Sequence, residues 1–120
     1  MFLRIRGLLT PEDVARLTTL AGELRFIDGR ASNAANQTKR NLQADEGDPK
    51  YLESVQIVSA ALTRSREFGA FALPKLVAPP LLCRYEPGMQ YGAHADAAII
   101  HVGNARVRSD LSCTVFVSDP

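Results

Sequence analysis

The sequence predicts an α+β fold in which helices come first and strands follow. Two apolar stretches carry a capping residue and a proline at their start, which is how helices open. From residue 76 onward the apolar runs become short, rich in β-branched residues and bounded by turn residues, as strands are. A length of 120 residues with 46% hydrophobic side chains suits one small domain. The expected organisation is a helical support region over 1–75 and a strand region over 76–120.

Phe2, Leu3 and Ile5 alternate with Arg4 and Arg6, so a short strand is expected over 2–6. Thr10 is a good N-cap, Pro11 suits the first helical position, and Glu12 and Asp13 complement the positive helix end. Val14, Leu17, Ala21 and Leu24 recur at helical spacing, predicting an amphipathic helix over 11–23. A short strand near 25–27 meets the Asp28-Gly29 turn signal, and an extended stretch follows at 38–43. Asp48 and Pro49 open a second helix with Leu52, Val55, Ser59 and Leu62 on one stripe, ending near 66–68 with Gly69 beyond. Strands are expected over 81–85 and 91–97, separated by an Glu-Pro-Gly-Met turn at 86–89. The strongest strand pattern is 110–117, with Leu111, Cys113, Val115 and Val117 on one side.

Charge excludes some classes of partner. Fourteen basic against thirteen acidic residues leave a net charge of +1, without the positive excess that nucleic acid or an anionic membrane surface requires. No apolar run reaches the roughly 20 residues of a membrane span. The N-terminal apolar stretch is short and broken by Arg4 and Arg6, unlike a signal peptide, so a cytoplasmic protein is expected. Cys83 and Cys113 stand thirty residues apart, without the close spacing of a zinc site.

The chemistry concentrates in Gln90-Tyr-Gly-Ala-His-Ala-Asp-Ala-Ala-Ile99. On a strand, His94 and Asp96 would project to the same side. An imidazole and a carboxylate held together can ligate one divalent metal, as in the 2-His-1-carboxylate sites of non-haem iron enzymes. The same pair can also be two polar residues on an edge strand, or a structural His–Asp hydrogen bond.

The wider context resembles the iron(II)- and 2-oxoglutarate-dependent dioxygenases. Within them it is similar to the prolyl-4-hydroxylase-like group and its bacterial PKHD-type hydroxylases. The residues that carry the likeness are Arg84-Tyr85, the Gly88 turn, Tyr91, His94-x-Asp96 and the closing Ser118-Asp-Pro120. The Leu9-Thr-Pro-Glu-Asp-Val-Ala15 helix start, Lys39-x-Asn41-x-Gln43 and Pro79-Pro-Leu-x-x-Arg-Tyr85 add to it. The likeness covers nearly the whole chain.

This resemblance implies helices packed on a double-stranded β-helix, or jelly roll. It implies His94 and Asp96 as ligands of Fe(II), and Tyr85 as a hydrogen-bond partner of the 2-oxoglutarate carboxylate. It also implies ascorbate as accessory reductant and a small-molecule or peptide substrate. The implied reaction oxidises 2-oxoglutarate to succinate and CO2 while O2 hydroxylates a C–H bond. Tyr91 is expected to line the site mouth or pack beneath it. Phe116 stands where some relatives place a tyrosine, and is expected in wall or core. Asn41 and Gln43 are expected in a solvated loop or facing the substrate opening.

One departure is clear. The family takes a second iron-binding histidine, and a basic residue for the far carboxylate of 2-oxoglutarate, from later strands. His101 is expected in a loop, and Arg106 and Arg108 face solvent or substrate. The expectation is therefore an incomplete jelly roll, the N-terminal part of a dioxygenase, holding iron weakly and inactive as 120 residues. A non-catalytic binding or regulatory module, pairing as a homodimer through the exposed edge of strand 111–117, is the alternative.

Overall fold

The structure is a computed structural model that describes residues 1–119. Pro120, which closes the Ser-Asp-Pro motif, lies outside the described residues.

Local chemistry explains the helices. Helix α1 spans Pro11–Glu23, and Thr10 and Asp13 form a reciprocal capping box at its start. Helix α2 spans Pro49–Arg64 behind the Asp48 cap. The Asp48 carboxylate accepts from the backbone N–H of both Lys50 and Arg25, which fastens the helix start to the first strand. The second helix does not run on to 66–68 as expected. It breaks at Ser65, whose hydroxyl caps a separate helix, α3, Arg66–Ala72. Gly69 lies inside α3, and Leu73 closes it in the left-handed conformation at φ 42°.

Helices α1 and α2 pack together along a seam crossed by three ion pairs: Arg16–Glu53, Lys50–Glu23 and Arg64–Asp13. The face that α2 turns to the core differs from the expected stripe. Its buried positions are Ser54, Val58, Ala61 and Leu62, while Leu52 is 59% exposed. Leu17 packs with Val58 and Leu62, and Leu20 with Leu24 and Ala44. Leu17 and Leu20 are fully buried. Each contributes about 1.5–3 kcal/mol by leaving water.

The strands are short and antiparallel. β1 (Phe26–Asp28), β3 (Leu42–Ala44) and β4 (Cys83–Arg84) form one sheet in the order β1-β3-β4. β2 (Lys39–Arg40) pairs with β5 (Gln90–Tyr91) in a second. Only Asn41 separates β2 from β3, so one extended segment, 39–44, belongs to both sheets. Ala44, Phe26 and Leu82 meet the helices on one side of the first sheet. The fold is α+β, as expected.

Three strand expectations are corrected. Residues 2–6 form no strand. Residues 92–97 are irregular: they are dominated by Gly and Ala, poor strand formers, and the His94 ring bonds the local Gly92 carbonyl in place of a ladder. Residues 110–117 also form no strand, because no described strand pairs with them. Their alternation survives only at the end, where Val115 and Val117 pack on the α1–α2 cluster while Phe116 is 71% exposed.

The segment expected to be a loop is instead a hairpin, β6 (Ile99–Val102) with β7 (Ala105–Arg108). Gly103 takes φ 59° at the first position of its two-residue turn, where only glycine is free of strain. His101 therefore sits on a strand, opposite Arg106.

Candidate metal- and ligand-binding face

Side chains alternate along 39–44, so Lys39, Asn41 and Gln43 share one side and Leu42 and Ala44 the other. Register extends the polar side across the sheets. Gln43 stands opposite Ile27 and Cys83, and Lys39 opposite Tyr91. Asn41 and Gln43 are 5% and 4% exposed, which corrects the solvated-loop expectation. Polar letters resemble a loop in sequence, but here Gly29 and Tyr85 lie against the Asn41 side chain, and β1 and β4 flank Gln43.

The Asn41 amide donates to the Tyr85 hydroxyl at 3.0 Å. The Asn41 carbonyl oxygen Oδ1 has no hydrogen-bond partner and rests against Gly29. A Cβ at Gly29 would come 1.7 Å from it, so only glycine fits beneath Asn41. Gly29 N–H also donates to the Asn41 backbone carbonyl at 2.8 Å. Tyr85 is thus held by a clamped amide. Burial pushes its hydroxyl pKa up, and the Asn41 bond partly offsets this. Burial likewise raises the Cys83 thiol pKa, although the residue keeps solvent contact, and the nearby Lys39 charge opposes the rise.

Tyr91 links this face to His94. Its hydroxyl accepts from the Asn33 amide at 3.1 Å, and its ring stacks on the His94 imidazole at 3.7 Å between centroids. His94 Nδ1 lies 2.8 Å from the Gly92 carbonyl oxygen. A carbonyl only accepts, so its partner assigns the hydrogen to Nδ1. His94 Nε2 then faces Asp96 Oδ1 at 3.2 Å. In the neutral imidazole both atoms are lone-pair donors, and the contact needs a proton or a cation between them.

The two groups fit a metal. Neighbouring ligand atoms about 2.1 Å from an octahedral ion stand about 3.0 Å apart. A ligating histidine also commonly gives its other N–H to a backbone carbonyl, as Nδ1 does here. His94 and Asp96 converge although they lie on no strand. Among the described residues no third His, Cys, Asp or Glu joins them. The face meets solvent at one edge, where Tyr85 is 50% exposed and the Asp96 side chain 57%, while Lys39, Asn41 and Gln43 are buried. Two clefts, of about 350 and 430 Å³, lie elsewhere, against α2–α3 and the N-terminal segment, and include none of these residues.

Ser32, Asn33 and the burial of Lys39 are parts of the face that the sequence reading missed. The signal available was the alternation of Lys39, Asn41 and Gln43 itself.

Comparison with known proteins gives one class, enzymes named hydroxylases. A PKHD-type hydroxylase of Sphingopyxis alaskensis is 42% identical over 113 residues, which is 94% of this chain and 51% of the relative. One from Paracoccus denitrificans is 40% identical over 124 residues, covering 100% of this chain and 55% of the relative. The PKHD-type hydroxylase YbiX of Escherichia coli is 37% identical over 123 residues, again 100% and 55%. No family model matches the chain. The chain spans about half the length of the curated relatives it matches. Over that half it belongs to the PKHD-type hydroxylase family. No helix is long and apolar enough to cross a membrane among the described residues.

Proposed function

We propose that this chain supplies the His94–Asp96 limb of an iron(II) centre in a 2-oxoglutarate-dependent hydroxylase. The observation that carries the reading is the 3.2 Å approach of His94 Nε2 to Asp96 Oδ1, with Nδ1 engaged by Gly92. Iron bound there would activate O2 at the expense of 2-oxoglutarate, with ascorbate as accessory reductant. The antiparallel pairs around segment 39–44 belong, on this reading, to a double-stranded β-helix.

The residues of the chain have separable tasks. Gly92 fixes the His94 tautomer through its carbonyl, and Tyr91 fixes the ring plane by stacking. Asp96 supplies the negative charge that a divalent ion needs. Asn41 orients the Tyr85 hydroxyl, which can then bond a carboxylate of the co-substrate. The substrate is a small molecule or a peptide.

A second reading has one observation in its favour. The His94–Asp96 contact is itself an acceptable hydrogen bond if the imidazole is protonated, and would then serve structure alone.

Titration with Mn(II) as an iron substitute, followed by electron paramagnetic resonance, separates the two. Asp96→Ala should lower affinity at least tenfold while leaving the melting temperature within about 2 °C, since an exposed carboxylate contributes little to folding. Equal Mn(II) binding by the parent chain and Asp96→Ala would falsify the metal reading. With Fe(II) and 2-oxoglutarate under anaerobic conditions, a weak visible charge-transfer band is the accompanying sign.

A further inference from the structure

Lys39 is the one charged side chain among the buried residues described, at 6% exposure. A lysine that merely covers apolar surface reaches out with its ammonium; Lys39 instead turns Nζ to the half-buried Ser32 hydroxyl. Burying an ammonium is costly unless a negative group accompanies it. Among the described residues, no carboxylate lies within ion-pair distance of Lys39 Nζ. Asp28 feels its charge but is committed to Arg30, and that pairing, above all, lowers the Asp28 pKa to about 2.

The partners Lys39 does have are neutral. Nζ donates to the Ser32 hydroxyl at 2.7 Å and stands 5.1 Å from the centre of the Tyr91 ring. An ammonium has three hydrogens to give, and Ser32 takes one. On the same side of the segment, the buried Gln43 side chain leaves its Oε1 without a partner. An incompletely satisfied cation and an orphaned amide oxygen therefore share one side of the segment, and the Tyr91 ring neighbours both the cation and His94.

We propose that Lys39 binds a carboxylate of the organic molecule that occupies this face, which makes that molecule an organic acid. One compact ammonium matches a singly charged group. Of the neighbouring arginines, Arg84 is turned to the other side, over the Phe26 ring, and Arg30 is paired with Asp28, so neither is offered to a more highly charged phosphate. Gln43 offers its amide to an uncharged polar group of the same molecule. The proposal rests on the reading above only in taking this face as the ligand's place. The carboxylate belongs either to the 2-oxo acid or to the molecule that is hydroxylated.

The test uses the metal-free chain and two probes, N-acetylglycine and its uncharged methyl ester, followed by nuclear magnetic resonance shifts at Ser32, Lys39 and Tyr91. The acid should give saturable shifts and the ester none. Lys39→Met should weaken the acid at least tenfold, and Lys39→Arg should recover most of the loss. Lys39→Met should also melt a few degrees higher, because an uncompensated ammonium has gone. Equal binding of acid and ester, no saturable binding of the acid, or unchanged affinity in a Lys39→Met chain that melts lower, overturns the proposal.

Repeating the titration with zinc(II) and 2-oxoglutarate assigns the source. Competition between the two acids gives the carboxylate to the co-substrate, and simultaneous binding gives it to the substrate; each supports the role of Lys39. Failure of the metal reading is recognised separately, since carboxylate binding by the metal-free chain does not depend on Asp96.

Discussion

The two sides of the extended segment 39–44 follow opposite rules. On the helix side, Ala44 is fully buried in an apolar cluster with Leu20, Leu24, Phe26 and Leu82. On the other side, Lys39, Asn41 and Gln43 are nearly as deep, yet they bring a charge and two amides, both with an unpartnered oxygen. Burial on the first side stabilises the fold. Burial on the second costs stability, because two amide oxygens leave water without gaining a partner. Depth within a protein therefore does not identify a structural residue; whether its polar atoms are satisfied does.

Three substitutions can break or sharpen this contrast. The largest effect is expected from Leu20→Ala on the helix side, a loss of about 2–5 kcal/mol in urea denaturation. That is a large part of the stability of a small domain, and the 0% exposure of Leu20 leaves no room for relaxation into solvent. A loss under 1 kcal/mol would show that the helix side is not the structural one.

Gly29→Ala, beneath the polar side, should cost about 1–3 kcal/mol through overpacking. The added methyl meets the Asn41 Oδ1 and backbone oxygens, so resonance shifts should also report a displaced Tyr85 hydroxyl. An unperturbed Tyr85 would mean that Asn41 is not clamped. The smallest effect belongs to Gln43→Met, which keeps volume and removes an unsatisfied buried group. Stability should stay within about 1 kcal/mol of the parent or rise. A larger loss in urea would make Gln43 a structural residue after all.

Sequence legibility follows the same divide. Helices α1 and α2 could be placed from Thr10-Pro11 and Asp48-Pro49, because capping and proline act within one turn. The buried face of α2 could not, because it is chosen by packing against residues far away in the chain, Leu17, Val115 and Val117 among them. The strand expected at 110–117 had the right alternation, but a strand exists only with a partner, and alternation does not supply one. The hairpin 99–108 has one local signal, Gly103-Asn104 at a two-residue turn between short alternating runs. The spacing of His94 and Asp96 predicts convergence on a strand; they converge instead in an irregular loop, where the His94 ring bonds the Gly92 carbonyl. Lys39, Asn41 and Gln43 stood out as letters, but their burial depends on β1, β4 and β5, which lie far away in the chain.

The single residue between β2 and β3 makes the count of residues from 39 to 44 as binding as their identity. Individual letters on either side can be exchanged for others of like shape. Removing or adding one position would exchange odd for even, turning the ammonium toward the leucines and a methyl toward the imidazole.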